Sequence, residues 1–432
     1  MKSFLNRILT FKLGLLAKLY LWRYRPVIIA VTGNVGKTST KEAITAVLSS
    51  IKKVRSGKGN LNNDLGVPLT IISDRMEEYY ETGNSVWFWF KVIAIAPFGL
   101  FFNKNYPEVL VLEYGADRPG DIKKLARKFR PDVGVVTAVG EIPVHVEYFT
   151  SSEAVAREKA KLIEVLKPTG HAVLNFDDQA VLDMKKKTKA QVMTFGFGEE
   201  ADIRMSDFDF RTDNEKPLGV TFKVNYDNTF VPVRIDGSLG KSQSWAAGAA
   251  TVVGVIFKMN LVQISEALSR YQPPKGRLRI LKGIKNSIII DDTYNSSPAA
   301  NRLALETLRD LPAKRRMAVL GDMLELGKYT IEAHQAAGNL AGSIVDVLVT
   351  VGLRGKFIAD SAENQMDKQN IFSFPTSDPA KAKVQELVQE GDLILVKGSQ
   401  GVRMEKVVEE IMAEPERKKE LLVRQEKKWL NK

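Results

Sequence analysis

The residues best equipped for chemistry form one run, Thr32-Gly33-Asn34-Val35-Gly36-Lys37-Thr38-Ser39. Two glycines and small neighbours let backbone N–H groups close around phosphate oxygens, which a helix N-terminus then holds at its positive end. Lys37 supplies a point charge for the outer phosphates, and the Thr38 hydroxyl is a ligand for Mg²⁺. An apolar, β-branched run (27–31) precedes these residues and a helical pattern follows at once. The full Walker spacing would place a glycine at Val31, so the match is to a shortened form. A chance glycine-rich turn is the alternative. Strand, loop and helix in register favour an ATP site.

Such a loop needs a sheet edge to stand on, and the pattern around it supplies one. Strands are predicted at 27–32, 109–113, 133–138 and 172–175, with helices at 38–50, 121–129 and 152–166. This alternation predicts an α/β fold, a mostly parallel sheet with helices on both faces. Phe208, Phe210, Val220, Phe222, Val224, Phe230, Val231 and Val233 then alternate with polar residues, which predicts an antiparallel β insert over 201–239. Helices follow at 244–257 and 261–271. The turn Pro273-Pro274-Lys275-Gly276-Arg277 marks a boundary. Beyond it, strands at 287–291, 317–320, 347–351 and 393–396 alternate with helices at 299–309, 330–341 and 380–390. We expect three parts: an N-terminal amphipathic helix (1–25), a central P-loop domain (26–275) and a C-terminal Rossmann-like doubly wound domain (276–432). The last twenty residues read as a charged helix.

Composition narrows the classes. Hydrophobic content of 44% and charged content of 26% over 432 residues fit an ordinary globular protein with room for two or three cores. The absence of cysteine excludes disulfides and thiolate metal sites, and it fits a reducing cytoplasm. Oxygen ligands or the three histidines must hold any metal, which favours Mg²⁺. The net charge of +12 is spread along the chain without the aromatic interleaving that stacks bases, so solvated surface is preferred to nucleic-acid binding. Two apolar segments, 4–20 and 85–102, carry internal charges, Pro97 or Gly99 and do not read as membrane spans. The second is expected to form a hairpin of helices, and together they allow peripheral membrane contact.

As a whole, the sequence resembles the Mur ligase family, over about residues 27–410. The resemblance rests on ordered blocks: T-G-N-V-G-K-T-S, N-L-N-N-D-L-G-V-P-L (60–69), L-E-Y-G-A (112–116), D-D-T-Y-N-S-S-P (291–298), L-G-D-M-L-E-L-G (320–327) and L-V-K-G-S-Q-G (395–401). It is nearest to the branch that adds D-alanyl-D-alanine to a muramoyl tripeptide. That reaction implies ATP and Mg²⁺, a carboxylate that attacks the γ-phosphate to give an acyl phosphate, and an amine that displaces phosphate. Two anions must meet, so the site has to neutralise charge first.

The resemblance carries roles onto particular residues. Thr38 and Glu113 are expected to bind the first Mg²⁺. His145, in a loop about two residues longer than usual, and Lys159, as a carbamate, are expected near the second, with Lys161 a rival to Lys159. Arg277 is expected on the γ-phosphate. Asp292 and Asn295 would meet the nucleotide or the hinge, Lys397 a substrate phosphate or carboxylate, and Asn62 and Asn63 the loop beside the nucleotide. His334 and Glu325 fall within the blocks without a chemical step. Two departures stand out. The adenine-side histidine and asparagines are replaced by Ser242, Gln243 and Ala246, of which Gln243 keeps an amide able to read adenine. The family's N-terminal domain, which grips the UDP of the sugar substrate, has no counterpart in residues 1–26. The expectation is a cytoplasmic monomer acting on a muramoyl-peptide and D-alanyl-D-alanine, with peripheral membrane association allowed. The alternatives are a polyglutamate-type ligase, or a nucleotide-dependent regulatory protein with a decayed site.

Overall fold

The computed structural model describes residues 2–430 apart from 60, 83–84, 141–147 and 150. Its strands, in chain order, are β1 (Val27–Thr32), β2 (Val54–Ser56), β3 (Val109–Glu113), β4 (Val133–Val136), β5 (His171–Asn175), β6 (Gln191–Gly196), β7 (Ile203–Asp213), β8 (Lys216–Tyr226), β9 (Thr229–Asp236), β10 (Arg279–Lys282), β11 (Ile288–Asp292), β12 (Arg316–Gly321), β13 (Val347–Val351), β14 (Ile371–Phe374) and β15 (Leu393–Lys397). They build two sheets. The first has nine strands in the order β2-β3-β1-β4-β5-β6-β7-β8-β9, the second six in the order β10-β11-β15-β12-β13-β14.

Within the first sheet β1 to β6 are all parallel. Strands buried on both faces explain the unbroken apolar runs. Ile28, Ala30, Leu110 and Leu112 point to one face, Ile29, Val31, Val109 and Val111 to the other, as the two-residue period requires. Helices Lys2–Tyr24, Gly66–Ile72, Val86–Phe102, Asp121–Lys128 and Ser152–Glu164 cover the first face. Helices Lys37–Ser49, Lys241–Ile256 and Leu261–Leu268 cover the second. Each large apolar side chain so buried stabilises the fold by about 1.5–3 kcal/mol before entropy is set against it.

The antiparallel strands expected over 201–239 are present as β7, β8 and β9. They are not a separate unit, because β7 pairs in parallel with β6 and extends the first sheet. The second sheet is parallel except for β10, an antiparallel edge strand on β11. Two expectations fail. Residues Val86–Phe102 form one helix rather than a hairpin, since Pro97 removes a single backbone donor and the chain continues through it. The charged tail is three short pieces, Pro415–Arg417, Lys418–Leu421 and Lys427–Leu430, rather than one helix. Its chain is pinned sideways instead: the Arg424 guanidinium donates to the Thr293 carbonyl (2.9 Å) and to Glu405 (3.0 Å).

Candidate active site

The strand order brings separated motifs together. β1 lies between β3 and β4, so the 32–39 loop, Glu113 and Ala138 share the C-terminal edge of the first sheet, with Val31 opposite Glu113 and Thr32 opposite Val136. Ligands in open α/β sheets bind at such an edge. The loop is possible because Gly33 and Gly36 adopt φ of 144° and 84°. A Cβ on Gly33 would also strike the Thr137 hydroxyl. The Asn34 and Val35 N–H groups donate to the Ala138 carbonyl at 2.6 and 3.3 Å, and Asn34 Nδ2 donates to the Val139 carbonyl at 2.6 Å. The Thr32 hydroxyl donates to the Tyr114 carbonyl at 2.8 Å, and the Ser39 carbonyl accepts from the Tyr271 hydroxyl at 3.3 Å. The loop is therefore tied to its neighbours before any ligand arrives. Helix Lys37–Ser49 starts at its end, and the first N–H groups of a helix have no intrahelical partner.

Glu113 is buried against this helix. Its carboxylate accepts from the Thr38 hydroxyl at 3.2 Å and from Asn62 Nδ2 at 3.2 Å. Two hard oxygen donors, a hydroxyl and a carboxylate, thus sit together beside the phosphate loop. Lys37 is half-buried, and burial lowers its pKa, with Glu113 opposing and the Arg277 charge adding to the fall.

Lys159 lies on helix Ser152–Glu164, which the Ser151 hydroxyl caps by accepting from the Ala154 N–H at 3.3 Å. Glu158, next to it, accepts the Ile122 N–H at 2.8 Å and so docks the helix onto the start of Asp121–Lys128. Lys159 then faces inward, 3% exposed. Burial first, then repulsion from Lys37, brings its pKa down to about 7, while Glu158, Glu113 and Asp117 oppose the shift. Its rival Lys161 is a half-exposed surface lysine paired with Glu164 at 2.7 Å. Only one of the two is in a position to meet Glu113 and Lys37. His145 lies outside the described residues.

The second sheet contributes from its facing edge. β11, β15 and β12 are neighbours, so the D-D-T-Y-N-S-S-P, K-G-S-Q and G-D-M-L-E-L-G blocks meet there. Lys397 and Asp292 form a buried ion pair at 2.6 Å, and Lys397 also donates to the Asn295 carbonyl at 3.0 Å. Burial lowers the Lys397 pKa and the Asp292 carboxylate opposes it. Asn295 accepts from the Ser296 N–H at 2.9 Å, turn chemistry of the ordinary kind. Asp292 accepts the Leu278 N–H at 3.2 Å, which fastens the interdomain linker to β11. Arg277, in that linker, lays its guanidinium 4.1 Å from the Tyr294 ring centre. Its charge reaches Lys37 in the first domain.

Several expected roles shift. Gln243 is buried, donating to Ser238 Oγ (3.0 Å) and the Arg277 carbonyl (3.3 Å) and accepting from the Tyr271 hydroxyl (3.2 Å). Both ends of its amide are engaged in the hinge, so it is not displayed for adenine. Asn63 accepts from the Leu65 and Gly66 N–H groups at 3.1 and 3.0 Å and starts helix Gly66–Ile72. His334 is a buried strut: Nε2 accepts from the Met323 N–H at 2.9 Å and Nδ1 meets the Thr330 carbonyl at 2.6 Å. Sequence reading passed over Asn175, Trp245 and Asn301, which line a cavity of about 1120 Å³ running from Val35 and Ala138 across to helix Pro298–Asp310. Buried amide atoms of Asn175 (Nδ2) and Asn301 (Nδ2 and Oδ1) have no partner among the described residues. Nothing local in the sequence marks an asparagine as facing a cleft.

Comparison with known proteins agrees with this fold. Residues 93–249 match the Mur ligase middle domain, and residues 276–400 match the Mur ligase, glutamate ligase domain. The chain is 31% identical over 402 residues to the UDP-N-acetylmuramoyl-tripeptide–D-alanyl-D-alanine ligase of Bacillus subtilis, covering 93% of this chain and 79% of that one. The ligase of the same name from Mycobacterium tuberculosis is 28% identical over 410 residues, 90% of this chain and 73% of that one. Among solved structures, MurF ligase from Thermotoga maritima in complex with ADP superposes with a TM-score of 0.77 at 26% identity, covering 95% and 84% of the two chains. MurF from Acinetobacter baumannii gives 0.75 at 26%, covering 92% and 79%. A two-sheet, P-loop ATP-dependent ligase is the class that this fold and site define. The chain belongs to the Mur ligase family.

Proposed function

We propose that this chain joins D-alanyl-D-alanine to a muramoyl-peptide carboxylate during peptidoglycan precursor synthesis. The observation that supports the reading is the gathering of Lys37, Glu113, Lys159 and Arg277, four charged groups from segments far apart in the chain: Lys37 feels the charges of Glu113 and Arg277, and Lys159 those of Lys37 and Glu113. A carboxylate oxygen attacks the γ-phosphorus, the bond to the β-phosphate bridging oxygen breaks, and ADP leaves. The amine nitrogen of the dipeptide then attacks the acyl carbon, phosphate leaves, and the nitrogen gives up a proton. The first step sets one anion on another, and the second builds negative charge on the tetrahedral oxygen and the departing phosphate, so preorganised cations lower both barriers.

The residues divide the work. The 33–38 loop cradles the phosphates, and Lys37 holds the outer ones. Arg277, stacked on Tyr294 at the linker, joins them from the other domain, so full charge balance requires the two sheets to be closed on each other. The Thr38 hydroxyl and Glu113 carboxylate fit Mg²⁺, which prefers hard oxygen donors and would screen the phosphate charge. A lysine with a pKa of about 7 is often neutral at physiological pH, the form that captures CO₂ as a carbamate. Lys159 in that form would be able to supply an anionic oxygen ligand to Mg²⁺. Asn175 and Asn301 offer amides to whatever fills the cleft.

Mass spectrometry after incubation with ATP, Mg²⁺, D-alanyl-D-alanine and UDP-muramoyl-tripeptide tests the reading. The amide product and ADP should accumulate together, and neither without both acceptor and dipeptide. Steady ADP release without acceptor would point instead to a nucleotide-driven regulator. A product formed only from a lipid-linked acceptor would place the reaction at a membrane surface.

A further inference from the structure

Large apolar side chains are exposed very unevenly. Of the nineteen that are exposed among the described residues, twelve lie on just two helices, Lys2–Tyr24 and Val86–Phe102. On the first, Ile8, Phe11, Leu15, Leu19 and Trp22 recur every three or four residues, and Phe11 and Trp22 are each 71% exposed. On the second, Trp87, Phe90, Phe98 and Phe101 form a stripe of the same period, while Phe88, Val92 and Ala96 take the opposite, buried face. Both helices therefore have a second apolar side that the protein core does not use.

The two stripes belong to one surface. The Tyr20 hydroxyl donates to the Ala96 carbonyl at 2.6 Å, and the Tyr24 hydroxyl donates to the Gly99 and Leu100 carbonyls at 2.8 and 2.9 Å. Tyr24 thereby adds a donor at the helix end, where the Gly99 carbonyl also accepts the Asn103 N–H at 3.2 Å. Tyr24 also stacks on Tyr106 with 4.2 Å between ring centres. Leu19 and Trp22 flank this crossing on one helix and Phe98 and Phe101 on the other. Exposed apolar side chains gathered in this way mark a surface that meets a partner or a membrane.

The charges around it decide the occupant. Residues 1–25 contain Lys2, Arg7, Lys12, Lys18, Arg23 and Arg25 and no acidic residue. Residues 85–107 contain Lys91 and Lys104 and again no acid. Arg7, Lys12, Lys18 and Arg23 are exposed beside the apolar stripe. Lys91 is paired with Glu78 at 2.7 Å, whereas Arg7, Lys12, Lys18 and Arg23 make no ion pair with a described residue. Aromatic side chains bordered by such cations match the headgroup boundary of an anionic bilayer, where rings enter the interface and cations meet lipid phosphates. No described helix is long and apolar enough to cross a membrane.

We propose that helices Lys2–Tyr24 and Val86–Phe102 form a docking face for anionic lipid, holding the enzyme flat against a membrane. The site lies close to this face: helix Gly66–Ile72, whose leading loop offers Asn62 to Glu113, packs against Lys2–Tyr24. The docking claim stands whether or not the acceptor proposed above is the right one.

Cosedimentation of the full chain with phosphatidylcholine vesicles, and with vesicles in which about a third of the lipid is phosphatidylglycerol, tests it. The chain should pellet with the anionic vesicles, less so as salt rises, with a blue shift of tryptophan emission. The triple variant Trp22→Gln/Trp87→Gln/Phe98→Gln and the charge variant Arg7→Gln/Lys12→Gln/Lys18→Gln should each weaken binding by about tenfold or more. All the altered side chains are exposed, so both variants should fold and keep ATP-dependent turnover of soluble substrates. Equal pelleting with neutral vesicles, or no loss in either variant, overturns the proposal. So does a protein that stays in the supernatant, including one that sedimentation velocity shows as a dimer broken by the aromatic variant, since the face would then join two copies of the chain.

Discussion

Replacing Lys159 with methionine should stabilise the nucleotide-free protein and destroy its activity. Methionine keeps most of the volume and the apolar stem but removes a charge held 97% out of water by burial (3% exposed). The ammonium makes no hydrogen bond or ion pair with the described residues, and Lys37 repels it. Its pKa falls from 10.5 to about 7. At about 1.4 kcal/mol per unit, the charged form costs the fold roughly 3–5 kcal/mol below pH 7. The sign follows from proton counting. Between pH 7 and 10.5 the unfolded lysine holds a proton that the folded one has released, so the stability of the parent protein rises with pH across that window. The variant has no such term. Urea unfolding in CO₂-depleted buffer, without nucleotide or metal, should show the variant more stable by roughly that amount near pH 6, with the gap closing as pH approaches about 10. Ligation should meanwhile fall by about 10³ or more, as expected when a group that organises transition-state charge is removed. A variant less stable than the parent at every pH, or a gap that does not change with pH, would refute the reasoning.

Other perturbations test neighbouring parts of the site. Asp292→Asn leaves the buried Lys397 ammonium without its counter-charge and should cost about 3–5 kcal/mol by denaturant unfolding, much of it recovered in the Asp292→Asn/Lys397→Met double variant. Gly33→Ala forces a side chain to φ 144° and into the Thr137 hydroxyl, so ATP affinity measured by calorimetry should fall by about tenfold or more. Glu113→Gln keeps the Thr38 and Asn62 contacts within reach but removes the anionic oxygen, and kcat should fall by about 10²–10³ with a raised Mg²⁺ requirement. Ser151→Ala removes the cap of the helix that carries Lys159, and should lower stability by about 0.5–2 kcal/mol with a smaller loss of activity than Lys159→Met.

What could be read in advance was whatever is written locally. The apolar runs of β1, β3 and β4 are continuous because both faces are covered, and the phosphate loop announces itself through residue types at fixed offsets. β2, with three residues, and the half-buried edge strand β14 carry too little periodicity to be seen. Pro97 and Gly99 misled because both are read as breakers, whereas the tyrosines of another helix, more than seventy residues earlier, supply donors to the carbonyls around them. The site shows the same division. Lys159 and Lys161 are two residues apart on one helix, and only the packing of Glu158 against the start of another helix turns the first inward and leaves the second in water. Gln243 looked like an adenine reader because an amide at that place is chemically able to be one, yet its three polar partners lie at the hinge. Which residue types can perform a reaction is a local property of the chain. Which of them face one another depends on strand order, here β3-β1-β4 in one sheet and β11-β15-β12 in the other, and strand order is settled by contacts across 77 to 105 residues of sequence. A ligase site assembled on the edges of two sheets can therefore be recognised by its parts before it can be drawn, and the linker, where the Leu278 N–H donates to Asp292 and the Arg277 carbonyl accepts from Gln243, is where those two kinds of information meet.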